Sequence, residues 1–338
     1  MSTSAPTKNY AAVLPPAGPS WAGSLMGISL LSTLLKTHGF TWAADFFFAL
    51  ACVDALVIVG GWFLYRSPKF HSDVMPAWSM LSMGFIALGG ASPTVVGDQA
   101  WDFMLVCWIV GTILGLISYS LYIALIVRRQ AGIPTFTWGL PLVTPMVSST
   151  AAVQLHNHYE VQLLLWIGLG LFTMAIVVAP FVFARVYLYF FSPKGPRVSL
   201  IAAPTVWIPL GLLGQSAASS QLIGAGFQNF GVSHAITTAI SYGAVANIVA
   251  IPLGALAHFL FYKALLKGVT YSPTWWASTF PVGTLSLGTH FMAQATQLPW
   301  LDYASLYLMG LMAVHVVVST VPGTIAVVRR VVDKLPAR

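Results

Sequence analysis

The sequence predicts an all-α membrane protein with ten transmembrane helices, five of them inside and five outside. Three observations predict it. Of 338 residues, 57% are hydrophobic and only 7% are charged, against roughly 25% charged in an ordinary soluble domain. The apolar residues come in ten long runs suited to crossing a bilayer, which takes a helix of about 20 residues. The basic residues then alternate with those runs in a way that only an even number of crossings satisfies. A soluble enzyme, a disordered chain and a coiled coil are excluded.

The elements follow in order. Residues 1–19 form a polar lead-in stiffened by Pro15, Pro16 and Pro19. It lacks the basic start and apolar core of a cleavable signal peptide. A single transmembrane domain is expected over 20–330, with a second tail at 331–338. Its apolar runs lie at 20–36, 43–65, 75–93, 103–127, 137–155, 161–190, 198–220, 235–262, 273–295 and 303–328. Gly89, Gly90 and Pro93 crowd the end of the third. The sixth and tenth exceed the bilayer thickness and should tilt or protrude.

With the N-terminus in the cytoplasm, that side holds Lys8, Arg66, Lys69, Arg128, Arg129, Arg185, Lys194, Arg197, Lys263, Lys267, Arg329, Arg330, Lys334 and Arg338. Lys36 alone lies outside. This is the positive-inside pattern, so the net charge of +7 reports insertion and not a nucleic-acid partner. Both termini are expected to be cytoplasmic in a multi-pass plasma-membrane protein. Cys52 and Cys107 sit within apolar runs and read as buried thiols.

Odd and even runs differ. The odd runs hold about 34 Gly, Ser or Thr in roughly 100 residues, the even runs about 21 in roughly 130. Odd runs also take Pro76, Pro141, Pro145, Pro204, Pro209 and Pro281, and carry no charge apart from Lys36 at the end of the first. Small residues let helix backbones approach closely. Prolines free carbonyls that protein or water must satisfy. Both features suit the inside of a bundle. Five odd helices around a central path, sheathed by five even ones, are therefore expected; a solid bundle would use small residues equally well. Three odd runs also share an aromatic residue before a proline and small residues after it: TFTWGLPLVTPMVSSTAA, APTVWIPLGLLGQSAASS and TWWASTFPVGTLSLGT.

SPTWWASTFPVGTLSLGT at 272–289 resembles the ninth helix of the tellurite-resistance/dicarboxylate transporter family. That family includes TehA, malate permeases, sulfite exporters and slow anion channels. WIPLGLLGQSAASSQLIG at 207–224 is similar to the seventh helix, PLVTPMVSSTAA at 141–152 to the fifth, and WAGSLMGISLLSTLL at 21–35 loosely to the first. The resemblance implies five helical hairpins in quasi-five-fold order, a central pore lined by the odd helices, and a homotrimer in the lipid bilayer. It implies transport of small anions: C4-dicarboxylates such as malate and succinate, or oxyanions, with sulfite or tellurite export as the alternative. It further implies a pore-blocking phenylalanine on the ninth helix, matched here by Phe280 beside Pro281. A ring there would dewet a narrow path and clear it by rotation.

Candidate pore-lining groups are Ser148, Ser149 and Thr150 on the fifth run, Gln215 and Ser216 on the seventh, and Thr279, Pro281 and Thr284 on the ninth. Hydroxyls and amides can solvate an anion through O–H and N–H donors, or can bond backbone carbonyls instead. No Arg or Lys within the odd runs is placed to clamp a carboxylate. Asp54 is the one acid near mid-membrane; it is either a proton-coupling carboxylate or a structural hydrogen-bonding group. His258, His290 and His315 fall at different depths, which argues against haem. His290 is a candidate sensor of external pH. His156 and His158 make no complete metal site. The chain lacks GxSxG, HExxH and P-loop motifs, so no enzyme activity, cofactor or metal is expected. A sensor or scaffold without transport is the reading of another class.

Overall fold

The computed structural model describes residues 14–193 and 199–333. Lys8, Lys194, Arg197, Lys334 and Arg338 lie outside the described residues, as do most of both expected tails. Among the described residues there are ten α-helices and no strand: α1 Ala22–Thr37, α2 Thr41–Tyr65, α3 Met75–Val95, α4 Trp101–Val127, α5 Leu140–Tyr159, α6 Gln162–Phe190, α7 Ile208–Asn229, α8 Ala235–Leu266, α9 Thr279–Thr296 and α10 Pro299–Val332. The third helix runs through Gly89, Gly90 and Pro93. As its length predicts, α10 overshoots a bilayer, at 34 residues.

Among the described residues, seven helical segments are long and apolar enough to cross a membrane by length and composition alone. The other three, α1, α5 and α9, have only 16, 20 and 18 residues. They also carry much of the Ser, Thr and Gly, and this lowers their hydropathy. Their burial explains how such sequences are tolerated: most residues of α1, α5 and α9 are shielded by protein. The remaining odd segments follow suit. The most apolar stretch containing α7 is 78% buried and that of α3 61%, whereas the even helices have 22–33%. Side chains such as Leu56, Phe181, Ile251 and Tyr303 face outward from even helices.

Each even helix packs on the odd helix before it, and the odd helices touch in the cyclic order α1, α3, α5, α7, α9 and back to α1. No two even helices are in substantial contact. Polar side chains tie the two layers together. Ser82 Oγ donates to Gly111 O at 2.6 Å, Ser149 Oγ to Gly168 O at 2.6 Å, and Ser286 Oγ to Ser305 O at 2.8 Å. Gln221 Nε2 donates to Ala239 O at 2.7 Å. In lipid such bonds contribute about 0.6 kcal/mol each, so close packing must supply most of the cohesion. The closest approach joins α7 to α9. A Cβ on Gly214 would collide with the backbone of Thr284 and Leu285, and one on Gly288 would stand 2.5 Å from Gly214 O.

The shared aromatic–proline pattern has a structural cause that differs from a mid-helix kink. Short 3-10 turns at Phe136–Gly139, Leu200–Trp207 and Pro273–Ser278 lead into α5, α7 and α9. Pro141, Pro209 and Pro281 fall in the first turn of the α-helix that follows. An N–H there has no intrahelical acceptor, so proline costs nothing at that position. Each of these odd segments is thus a tight turn that widens into an α-helix.

Candidate functional site

Two small cavities lie end to end within the ring of odd helices. The first is lined by Gly23 and Met26 of α1, Met80 and Met83 of α3, Leu140 and Val143 of α5, Ile208 and Gly211 of α7, and Trp276, Ala277, Phe280 and Pro281 at the start of α9. Its volume is about 20 Å³, room for a single water by the usual requirement of roughly 10–15 Å³. The second is lined by Leu30 and Thr33 of α1, Ile86, Ala87 and Gly90 of α3, Val147, Thr150, Ala151 and Gln154 of α5, Gln215 of α7, and Phe280 and Leu287 of α9. Its volume is about 60 Å³. Every lining residue of both comes from an odd helix or the turn leading into α9.

Phe280 is the one residue common to both linings. Phe280 is 4% exposed. Its position is fixed by the change from the 3-10 turn to α9, where Phe280 is the second α-helical residue. The two chambers differ in character. The one that includes Gly23 and Met80 is apolar and rich in methionine, a flexible and polarisable side chain. The one beyond Phe280 carries two hydroxyls and two amides: Thr33, Thr150, Gln154 and Gln215. Gln215 Nε2 donates to Thr150 Oγ1 at 2.6 Å, joining α5 to α7 across the chamber wall. No Asp, Glu, Lys, Arg or His lines either chamber.

The sequence candidates separate into two groups. Phe280, Pro281, Thr150 and Gln215 line the chambers. The other five turn away from the chambers, to neighbouring helices or to carbonyls of their own segment. Ser148 Oγ is 2.6 Å from Thr112 Oγ1 of α4. Ser149 Oγ lies 2.7 Å from Ser219 Oγ, in addition to its bond to α6. Ser216 donates to Leu213 O and Thr279 to Trp276 O. Thr284 reaches Pro281 O and Gly211 O. Thr33, Gln154 and the three methionines escaped the sequence reading. A hydroxyl at the far end of α1 and an amide one turn beyond the hydroxyl run of α5 carry no motif.

Asp54 lies away from both chambers. It faces α1, where Ser24 Oγ stands 2.6 Å from its Oδ2. The membrane histidines are dispersed. His315 is fully buried on α10, with Nδ1 3.2 Å from Ser278 O. His258 lines an outer groove between α8 and α10. His290 faces His38 and Asp302 at the opposite end of the bundle: its Nδ1 is 3.2 Å from Asp302 Oδ1, and its ring centroid is 5.6 Å from that of His38. Burial, and next the neighbouring His290, lower the pKa of His38, while Asp302 raises it. Among the described residues no group of three or more His, Cys, Asp or Glu side chains is arranged to hold a metal ion.

The comparisons with known proteins agree with this architecture. The chain is 24% identical over 312 residues to a protein named sulfite efflux pump SSU1 from Arthroderma otae, covering 82% of this chain and 81% of the relative. It is 23% identical over 320 residues to the protein of the same name from Trichophyton rubrum, covering 84% of each. The family model described as SLAC1, voltage-dependent anion channel, matches residues 17–325. Its members are channels and transporters rather than enzymes, in keeping with the absent catalytic motifs. The resemblance seen in the helix motifs and the match across nearly the whole chain agree: the protein is a membrane-embedded member of the SLAC1 anion channel and transporter family.

Proposed function

We propose that the chain conducts small oxyanions of the sulfite type through a conduit formed by α1, α3, α5, α7 and α9, with Phe280 as its gate. One observation carries this reading: two chambers, each lined by all five odd helices, meet at a single aromatic ring. Thr33, Thr150, Gln154 and Gln215 supply uncharged donors to a passing anion. The proposed arrangement is five helical hairpins. Links of two to five residues within each odd–even pair support it, since short links join antiparallel neighbours.

Substrate size and charge favour a compact oxyanion over malate or succinate. The chambers are small, and neither offers the pair of cationic clamps that two carboxylates would engage. The relatives named as sulfite efflux pumps point the same way. The proposed setting is the plasma membrane, with 20–330 as one transmembrane domain, the Lys- and Arg-rich end cytoplasmic, and three copies per assembly. Fourteen of fifteen basic residues on one side support the orientation.

Purified protein in liposomes loaded separately with sulfite, malate, succinate and tellurite tests the reading. Sulfite efflux well above that from protein-free liposomes is expected, with dicarboxylate flux much lower. Dicarboxylate flux in excess of sulfite would reverse the substrate assignment. Silence towards all four would leave a sensor or scaffold.

A further inference from the structure

A third cavity, of about 760 Å³, opens on the flank of the bundle. Its walls are α2, α10 and the segment that precedes α1, and none of its lining residues borders the central chambers. Tyr65, the last residue of α2, and Arg330, near the end of α10, mark its basic end; Asp54 lies deep within it. Tyr65 lies eleven positions beyond Asp54, about 16 Å at 1.5 Å per helical residue. The cavity thus runs three turns into the membrane and ends on a carboxyl group. Pro15 and Pro16 cover one side, and Arg330 Nη1 pins that segment by donating to Leu14 O at 2.6 Å.

Proton counting at Ser24 gives that carboxyl group two hydrogen-bonding arrangements. Ser24 Oγ lies 2.6 Å from Asp54 Oδ2 and also 2.7 Å from Trp21 O. A hydroxyl has one proton and can donate to only one of them. If Asp54 is ionised, Ser24 donates to it and Trp21 O keeps only its intrahelical bond. If Asp54 is protonated, it donates to Ser24 Oγ, which in turn donates to Trp21 O, and both contacts are made at once. Both contacts can be full hydrogen bonds at once when Asp54 carries a proton. The groups that face the site are Arg330 from α10, Tyr65 from α2 and, beyond the Trp21 ring, Tyr271; α1 contributes no charge. Ser24 can donate to the carboxylate or accept from the acid, so either state finds a partner there.

Ser24 also stands beside the gate. Its neighbours Gly23 and Gly27 rest directly on Trp276 and Thr279: a Cβ at Gly23 would be 2.9 Å from Trp276 Cβ, and one at Gly27 would overlap the Thr279 hydroxyl. Those residues belong to the junction that carries Phe280. We propose that Asp54 is a proton-binding site filled from the basic side through the flank cavity, and that its proton sets anion passage by fixing the first turn of α1 against the gate. This rests on the anion-conduit reading above.

The test separates the two. In liposomes, wild-type flux of nitrate, an oxyanion whose charge is constant over the range, should change about fivefold or more when pH on the basic face alone falls from about 8 to about 5.5, whereas Asp54→Asn should stay within about twofold across that range. The Asn amide donates to Ser24 as the protonated acid does, so its flux should match the acid-side wild-type level. Ser24→Ala should also flatten the response. Asp54→Cys, made with Cys52→Ser and Cys107→Ser, should react with a membrane-impermeant maleimide from the basic side only. Tyr65→Cys in the same background controls for folding and sidedness. Wild-type flux indifferent to that pH, an Asp54→Asn response like wild type, or labelling of Asp54→Cys from the opposite side or not at all, would each overturn the proton site alone. Absence of any wild-type flux would overturn the conduit reading instead, with labelling still reporting on the cavity.

Discussion

At the scale of single residues, the Phe280 ring stands between two chambers too small for a hydrated anion. Removing the ring joins the chambers without touching the helix contacts made by Thr279 and Thr284. Phe280→Ala should therefore raise anion flux in liposomes by about tenfold or more, the equivalent of at least about 1.4 kcal/mol off the passage barrier. Its elution on size exclusion should match wild type; unchanged flux from a well-folded sample would remove Phe280 from the gate. The ring was legible in the sequence because it sits in a motif. Its neighbours were not. Hydroxyls on a membrane helix look alike in one dimension, and only packing decides whether Ser148 turns to Thr112 of α4 or Thr150 turns to the chamber. The methionine lining was hidden for a related reason: Met26, Met80 and Met83 read as ordinary apolar core.

At the scale of elements, composition separated the two helix layers before any coordinates, because lipid accepts bulky apolar side chains and close backbone contact demands small ones. What composition left unread was the role of the prolines. Pro141, Pro209 and Pro281 begin helices after 3-10 turns, a distinction that depends on where hydrogen bonding changes from one pattern to the other. The contact of α7 with α9 is the tightest backbone approach in the bundle and bears directly on the helix that carries the proposed gate. Gly288→Val would drive a branched side chain against Gly214 O and the backbone at Ala218. It should lower the thermal transition in detergent by several degrees, in line with an overpacking cost of about 1–3 kcal/mol. Gly310→Val is the matched control: no neighbour lies within 4 Å of a Cβ built there. Equal transitions for the two variants would show that the α7–α9 approach contributes little to stability.

At the scale of the whole molecule, even helices place Asp45, Asp98, Asp102, Glu160 and Asp302 at or near their starts and most of the basic residues at their ends. Each charge sits at the helix end where it favours the macrodipole, so insertion signal and helix electrostatics reinforce one another. The broad outward apolar surface of α8 and α10, including Ile251, Trp300 and Tyr307, suits lipid and neighbouring copies alike. Native mass spectrometry from gentle detergent should give three times the chain mass; a monomer retained in lipid nanodiscs would remove the proposed trimer. The neutral lining of the conduit has a last consequence. Without a fixed positive charge to repay the loss of water, entry is governed by what each ion surrenders on leaving solution. Permeability should then follow the lyotropic series, with weakly hydrated monovalent ions ahead of divalent ones and hydrogen sulfite ahead of its own conjugate base.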